Sequence, residues 1–120
     1  MSLTIPEIRE RQALLNGVWR ASKAKKQEVY GRLMKELEID PASVDDLRAA
    51  GEAIKNTLSL LEKFVHIRAQ DLGPGVRVRR KSHPEEEGGI TAIRGDGCLQ
   101  VKLDGGRTVG WSPFNVQRLN

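Results

Sequence analysis

At Gly73-Pro74 the hydrophobic period of this chain changes, and that change decides what it can fold into. Before that point apolar residues recur at helical spacing; after it they alternate. A helix buries a stripe at a period of 3.6 and a strand buries every second residue, so both patterns in one chain require a helical part and a sheet part. The expected fold class is α+β, with an N-terminal helical hairpin over residues 1–72 and a small five-stranded β-barrel over residues 73–120. With 120 residues in all, two fully independent cores would both be marginal.

The helical half opens with Thr4 and Glu7 at capping-box spacing, with Pro6 in the first turn, where a missing N–H costs nothing. Apolar residues follow at Ile8, Leu15, Val18, Trp19, Val29, Leu33 and Leu37, placing Trp19 in the helical core. The stripe is interrupted by Ser22-Lys23-Ala24-Lys25-Lys26, so residues 5–38 read either as one long helix or as two that break near Ser22. Asp40-Pro41 then marks a turn. Ser43 is a suitable N-cap for a helix running to about Gln70, with Asp45 and Asp46 in its first turn. Leu47, Gly51, Ile54, Leu58, Leu61 and Val65 lie on a heptad seam, and Leu60, Phe64 and Ile67 form a second strip beside its C-terminal half. A face that wide needs two neighbours: the preceding helix, and either the following barrel or a second copy of the chain, which makes a homo-oligomer through the helical segment one expectation.

Beyond Gly73, Val76 and Val78 alternate with Arg77 and Arg79; Leu99, Val101 and Leu103 alternate with Gln100 and Lys102; Val109 and Trp111 follow the same rule. Gly95-Asp96-Gly97 and Asp104-Gly105-Gly106 are hairpin signals, and Ser112 to Asn115 reads as a helical turn before a last strand, Val116 to Leu119. Gly75-x-x-Val78, Gly88-x-Ile90, the Asp-Gly hairpins and the Pro113-to-Leu119 ending resemble a Src-homology-3-like barrel of the bacterial KOW/Tudor kind. The resemblance covers about residues 73–120; residues 1–72 resemble no family. It implies a binding module, and such barrels take RNA, DNA, peptides and proteins alike. Glu85-Glu86-Glu87 stand in the loop where KOW-type RNA binders tend to carry basic or small residues. Trp111 and Phe114 are too few for the aromatic cage of a methyl-ammonium reader.

Composition excludes several classes. Hydrophobic residues at 38% and charged residues at 30% argue against wholesale disorder. The single cysteine, Cys98, rules out an internal disulfide, and no apolar stretch reaches membrane-spanning length. A cytoplasmic protein with no membrane contact is expected. His66, His83 and Cys98 show no ligand spacing, so no metal, no cofactor and no catalytic residue is expected; His66 is assigned an ordinary surface pair with Glu62, and Glu85–Glu87 a solvated loop tip.

The basic residues are the better lead. The formal charge is +4. Residues 73–120 hold 8 Lys/Arg against 5 Asp/Glu, and residues 1–72 hold 12 against 11. If Val78 points inward, Arg77, Arg79 and Lys81 share the outer face of the first strand, about 7 Å apart, a spacing that suits successive phosphates. Arg20, Lys23, Lys25 and Lys26 form a second cluster. The first expectation is a non-enzymatic nucleic-acid-binding accessory protein contacting phosphates through Arg77, Arg79, Lys81, Lys23, Lys25 and Lys26. The alternative is a protein–protein adaptor whose barrel grips a partner with Trp111, Phe114 and Glu86 while the helices anchor it.

Overall fold

The computed structural model describes residues 3–120 and contains three α-helices followed by a five-stranded antiparallel sheet. Helix α1 spans Ile5–Gly17, α2 Lys23–Glu36 and α3 Leu47–Ala69. The strands are β1 Arg77–Arg80, β2 Glu87–Ile93, β3 Leu99–Leu103, β4 Thr108–Trp111 and β5 Val116–Arg118. The chain divides into two compact units, Met1–Glu62 and Lys63–Asn120. That division falls ahead of the change of period, inside α3. The reason lies in the last turns of α3: Ile67 is buried with the sheet residues and Phe64 packs against them.

The ends of the helices follow from local chemistry. Thr4 accepts from the Glu7 N–H while Glu7 accepts from the Thr4 N–H, closing the expected capping box. Residues 5–38 form two helices, because the Ser22 hydroxyl accepts from the Lys25 N–H at 3.2 Å and starts α2 afresh. At the far end Glu38 takes a left-handed conformation (φ 58) and the Ile39 N–H reaches back to the Met34 carbonyl at 2.8 Å. The start of α3 differs from expectation. Ser43 ends a 3-10 turn, Pro41–Ser43, and Asp46 is the residue that accepts from Ala49 N–H, at 2.8 Å. An aspartate satisfies the first-turn donors as well as a serine does, and its charge also suits the helix dipole. In the first unit the fully buried side chains are Ile8, Ile54 and Leu58.

In the second unit the strand order is β4-β3-β2-β1-β5, every neighbouring pair antiparallel. The ladders leave β4 and β5 as edges, so the sheet is not closed into a ring of hydrogen bonds. Alternation is realised as expected: Val78, Leu99 and Val101 are fully buried, and Ile90, Trp111 and Val116 nearly so. A register shift between Ile90 and Ala92 bends β2. Gly97 and Gly106 turn the hairpins with positive φ (82 and 98), a conformation other residues adopt only at a cost. Among the described residues no helix is long and apolar enough to cross a membrane.

Candidate nucleic-acid interface

The two basic clusters singled out in the sequence sit in quite different surroundings. On β1, Arg77 and Arg79 lie on one face, with Val78 turned into the core. The β1–β2 register sets Arg79 directly opposite Glu87, and directly opposed charges on neighbouring strands attract. The Arg79 guanidinium donates to Glu87 Oε1 at 2.7 and 3.1 Å. Arg77 donates two parallel bonds to Asp104 at 2.8 and 3.0 Å and lies 3.7 Å from Glu87. These bonds hold the Asp104 carboxyl below its ordinary pKa and raise that of Arg77. Arg80 donates to Glu86 at 2.9 Å, and its Nε is buried with no partner among the described residues. Lys81 lies past the end of β1, exposed, with its backbone N–H on the Asn115 carbonyl.

The acidic run is therefore a set of counter-ions rather than a solvated tip. Glu87 belongs to β2, and Glu86 and Glu87 are half-buried and paired; only Glu85 remains exposed. Pairs that stay partly open to solvent in this way add little to stability. Their consequence is electrostatic: Arg77 and Arg79 already face carboxylates, while Lys81 is in no ion pair among the described residues.

The helical cluster has no such partners. Lys23 and Lys25 are exposed, and among the described residues no ion pair reaches Lys23, Lys25 or Lys26. All three stand at the N-terminal end of α2, whose first turn carries no acidic residue, and there the helix dipole disfavours positive charge. Trp19 precedes them in the link between α1 and α2. It is not in the core: its neighbour Val18 is buried, while Trp19 is 71% exposed. The Lys26 ammonium sits 6.0 Å from the centre of its ring, within cation–π range.

Trp19 and Lys26 line a groove of about 670 Å³ within the helical unit, which Tyr30 and, from α3, Arg48, Gly51 and Lys55 also line. Gly51 permits a close approach, because a Cβ there would stand 3.2 Å from the Tyr30 hydroxyl. One acidic side chain, Glu52, shares this lining with the three cations. Sequence reasoning missed the groove. Its available signals were the interruption at Ser22 and a glycine within the α3 seam.

The remaining candidates fall out as follows. Trp111 is 5% exposed within the sheet core and offers no surface to a partner. Phe114 is 40% exposed, its ring 4.9 Å from that of His66. His66 is thus engaged with Phe114, while Glu62, its expected partner, accepts from Gln12 at 3.1 Å. Glu86 is held by Arg80. His83 is less isolated than its spacing implied: potential ligand atoms of His83, Glu85 and Glu86 lie within 4.8 Å of one another. His83 and Glu85 are exposed and Glu86 serves Arg80, so the trio reads as a polar cluster on a loop. Cys98 is half-buried, its N–H on Asp96, whose carboxyl that bond holds below its ordinary pKa.

No family model, curated protein or solved structure matches this chain.

Proposed function

We propose that this is a non-enzymatic nucleic-acid-binding accessory protein that contacts phosphates chiefly through the helical unit. The observation that carries the reading is the contrast in pairing. Among the described residues Lys23, Lys25 and Lys26 are in no ion pair and Lys26 stands over an exposed indole, whereas Arg77, Arg79 and Arg80 each face a carboxylate. Unpaired cations release the counterions of a phosphate backbone, and that release supplies most of the sequence-independent affinity. In this reading the second unit is a Src-homology-3-like barrel of the KOW/Tudor kind. The order β4-β3-β2-β1-β5 and the 3-10 turn Pro113–Asn115 before β5 support that assignment. The protein acts in the cytoplasm.

The test is fluorescence anisotropy with labelled oligonucleotides at two salt concentrations. Affinity should fall steeply with salt, and Lys23→Glu/Lys25→Glu should lose binding that Arg77→Ala/Arg79→Ala retains. No binding at low salt would overturn the proposal. A second reading, a protein adaptor, draws support from the half-exposed Phe114 beside the last strand. It predicts binding that depends on Phe114 and changes little with salt.

A further inference from the structure

We propose that the groove of the helical unit seats an unpaired base, so that the ligand is a single-stranded nucleic acid rather than a duplex. This inference rests on the reading just given and specifies its ligand. Three features of the groove converge on it.

The first is the indole. A base offers a π-face only when it is outside a duplex stack, and single strands are held by laying successive bases on aromatic side chains beside a positive groove. Trp19 is such a platform: it lines the groove and is 71% exposed. The second is the arrangement of charge. Lys26 stands over the indole on one side. Arg48 and Lys55 line the groove from α3, two turns and about 10 Å apart along the helix. Three cations against the single carboxylate of Glu52 leave the groove net positive, complementary to phosphates flanking a seated base. The third is size and polarity. A volume of about 670 Å³ falls within the range of small-molecule sites, room enough for a nucleotide. Asn16 also lines it and presents both a donor and an acceptor to the edge of a base.

The test compares dT12, rU12 and a 12-base-pair duplex at low salt, followed both by anisotropy of the labelled strand and by tryptophan emission. Trp111 is buried in the other unit and supplies a constant background. The wild type should bind one of the single strands at least about tenfold more tightly than the duplex, with quenched emission. Trp19→Ala should lower that affinity about tenfold and abolish the quench, with Trp19→Phe intermediate. Trp19 is mostly in water, so its replacement leaves the core intact, and circular dichroism checks this. Equal binding of all three probes, unchanged by Trp19→Ala, would overturn the inference and leave the phosphate-binding reading standing. Binding of none of them would overturn both.

Discussion

The β1 arginines of the sheet unit and the α2 lysines of the helical unit carry their positive charge in opposite ways. Residues 73–120 hold the larger excess of Lys and Arg, yet the three arginines of β1 are met by Glu86, Glu87 and Asp104 across the ladder and its hairpin. Residues 1–72 are almost balanced in number, yet among the described residues Lys23, Lys25 and Lys26 are in no ion pair, and Lys26 stands over Trp19. Net charge counted along the chain therefore does not show which cations stand unopposed. What a phosphate meets is the charge left after cross-strand pairing, and pairing is a property of register.

The strongest way to break this contrast is to reverse the helical charge. Lys23→Glu/Lys25→Glu/Lys26→Glu should reduce oligonucleotide affinity by about a hundredfold at low salt and flatten the log–log salt dependence by about 0.7 per lost contact for a single strand. Arg77→Ala/Arg79→Ala should change affinity less than about threefold in the same titration. A reversed ranking would move the interface back to β1.

A smaller effect should come from unmasking the sheet. Glu87→Gln/Asp104→Asn removes the charges opposite Arg77 and Arg79 and should raise affinity by about threefold, with a steeper salt slope. An unchanged slope would show that these arginines cannot reach phosphate even when unopposed.

Stability should respond in the other direction from binding. Lys23→Glu/Lys25→Glu places acidic residues in the first turn of α2, where the dipole favours them by about 0.3–1 kcal/mol each. The thermal midpoint should rise by a few degrees as binding is lost, a pairing that global unfolding would not produce.

The smallest effect is on acidification, and it touches both units. Arg11 donates to Glu36 at 2.6 Å and holds its carboxyl below the ordinary value of 4.5. Arg77 holds Asp104 below 3.8 in the same way. A carboxyl lowered in the folded state contributes stability above its unfolded pKa and loses it as pH falls through the folded value. Urea midpoints should therefore hold from neutral pH to about pH 5 and decline below it. Arg11→Met should remove the Glu36 share of that decline and leave the Asp104 share.

Much of the fold was legible because its signals are local. Thr4 and Glu7 fix the start of α1, Ser22 separates α1 from α2, and alternation around Val78, Leu99 and Val101 marks the strands. What escaped depends on geometry across the chain. Glu87 read as loop because its role comes from standing opposite Arg79. Trp19 read as core because it shares the apolar type of Val18, although one step along the chain turns it outward. The groove needs residues from all three helices and the α1–α2 link to be brought around Gly51 and Tyr30, which no spacing in one segment reveals.

The most direct measurement is a backbone amide NMR titration of the 15N-labelled protein with dT12 at low salt. The account predicts the largest shifts along the groove, at Trp19, the start of α2 and Arg48 to Lys55, together with the Trp19 indole N–H. Arg77 to Lys81 should stay close to their free positions. Shifts concentrated on β1, with the α1–α2 link unmoved, would contradict it.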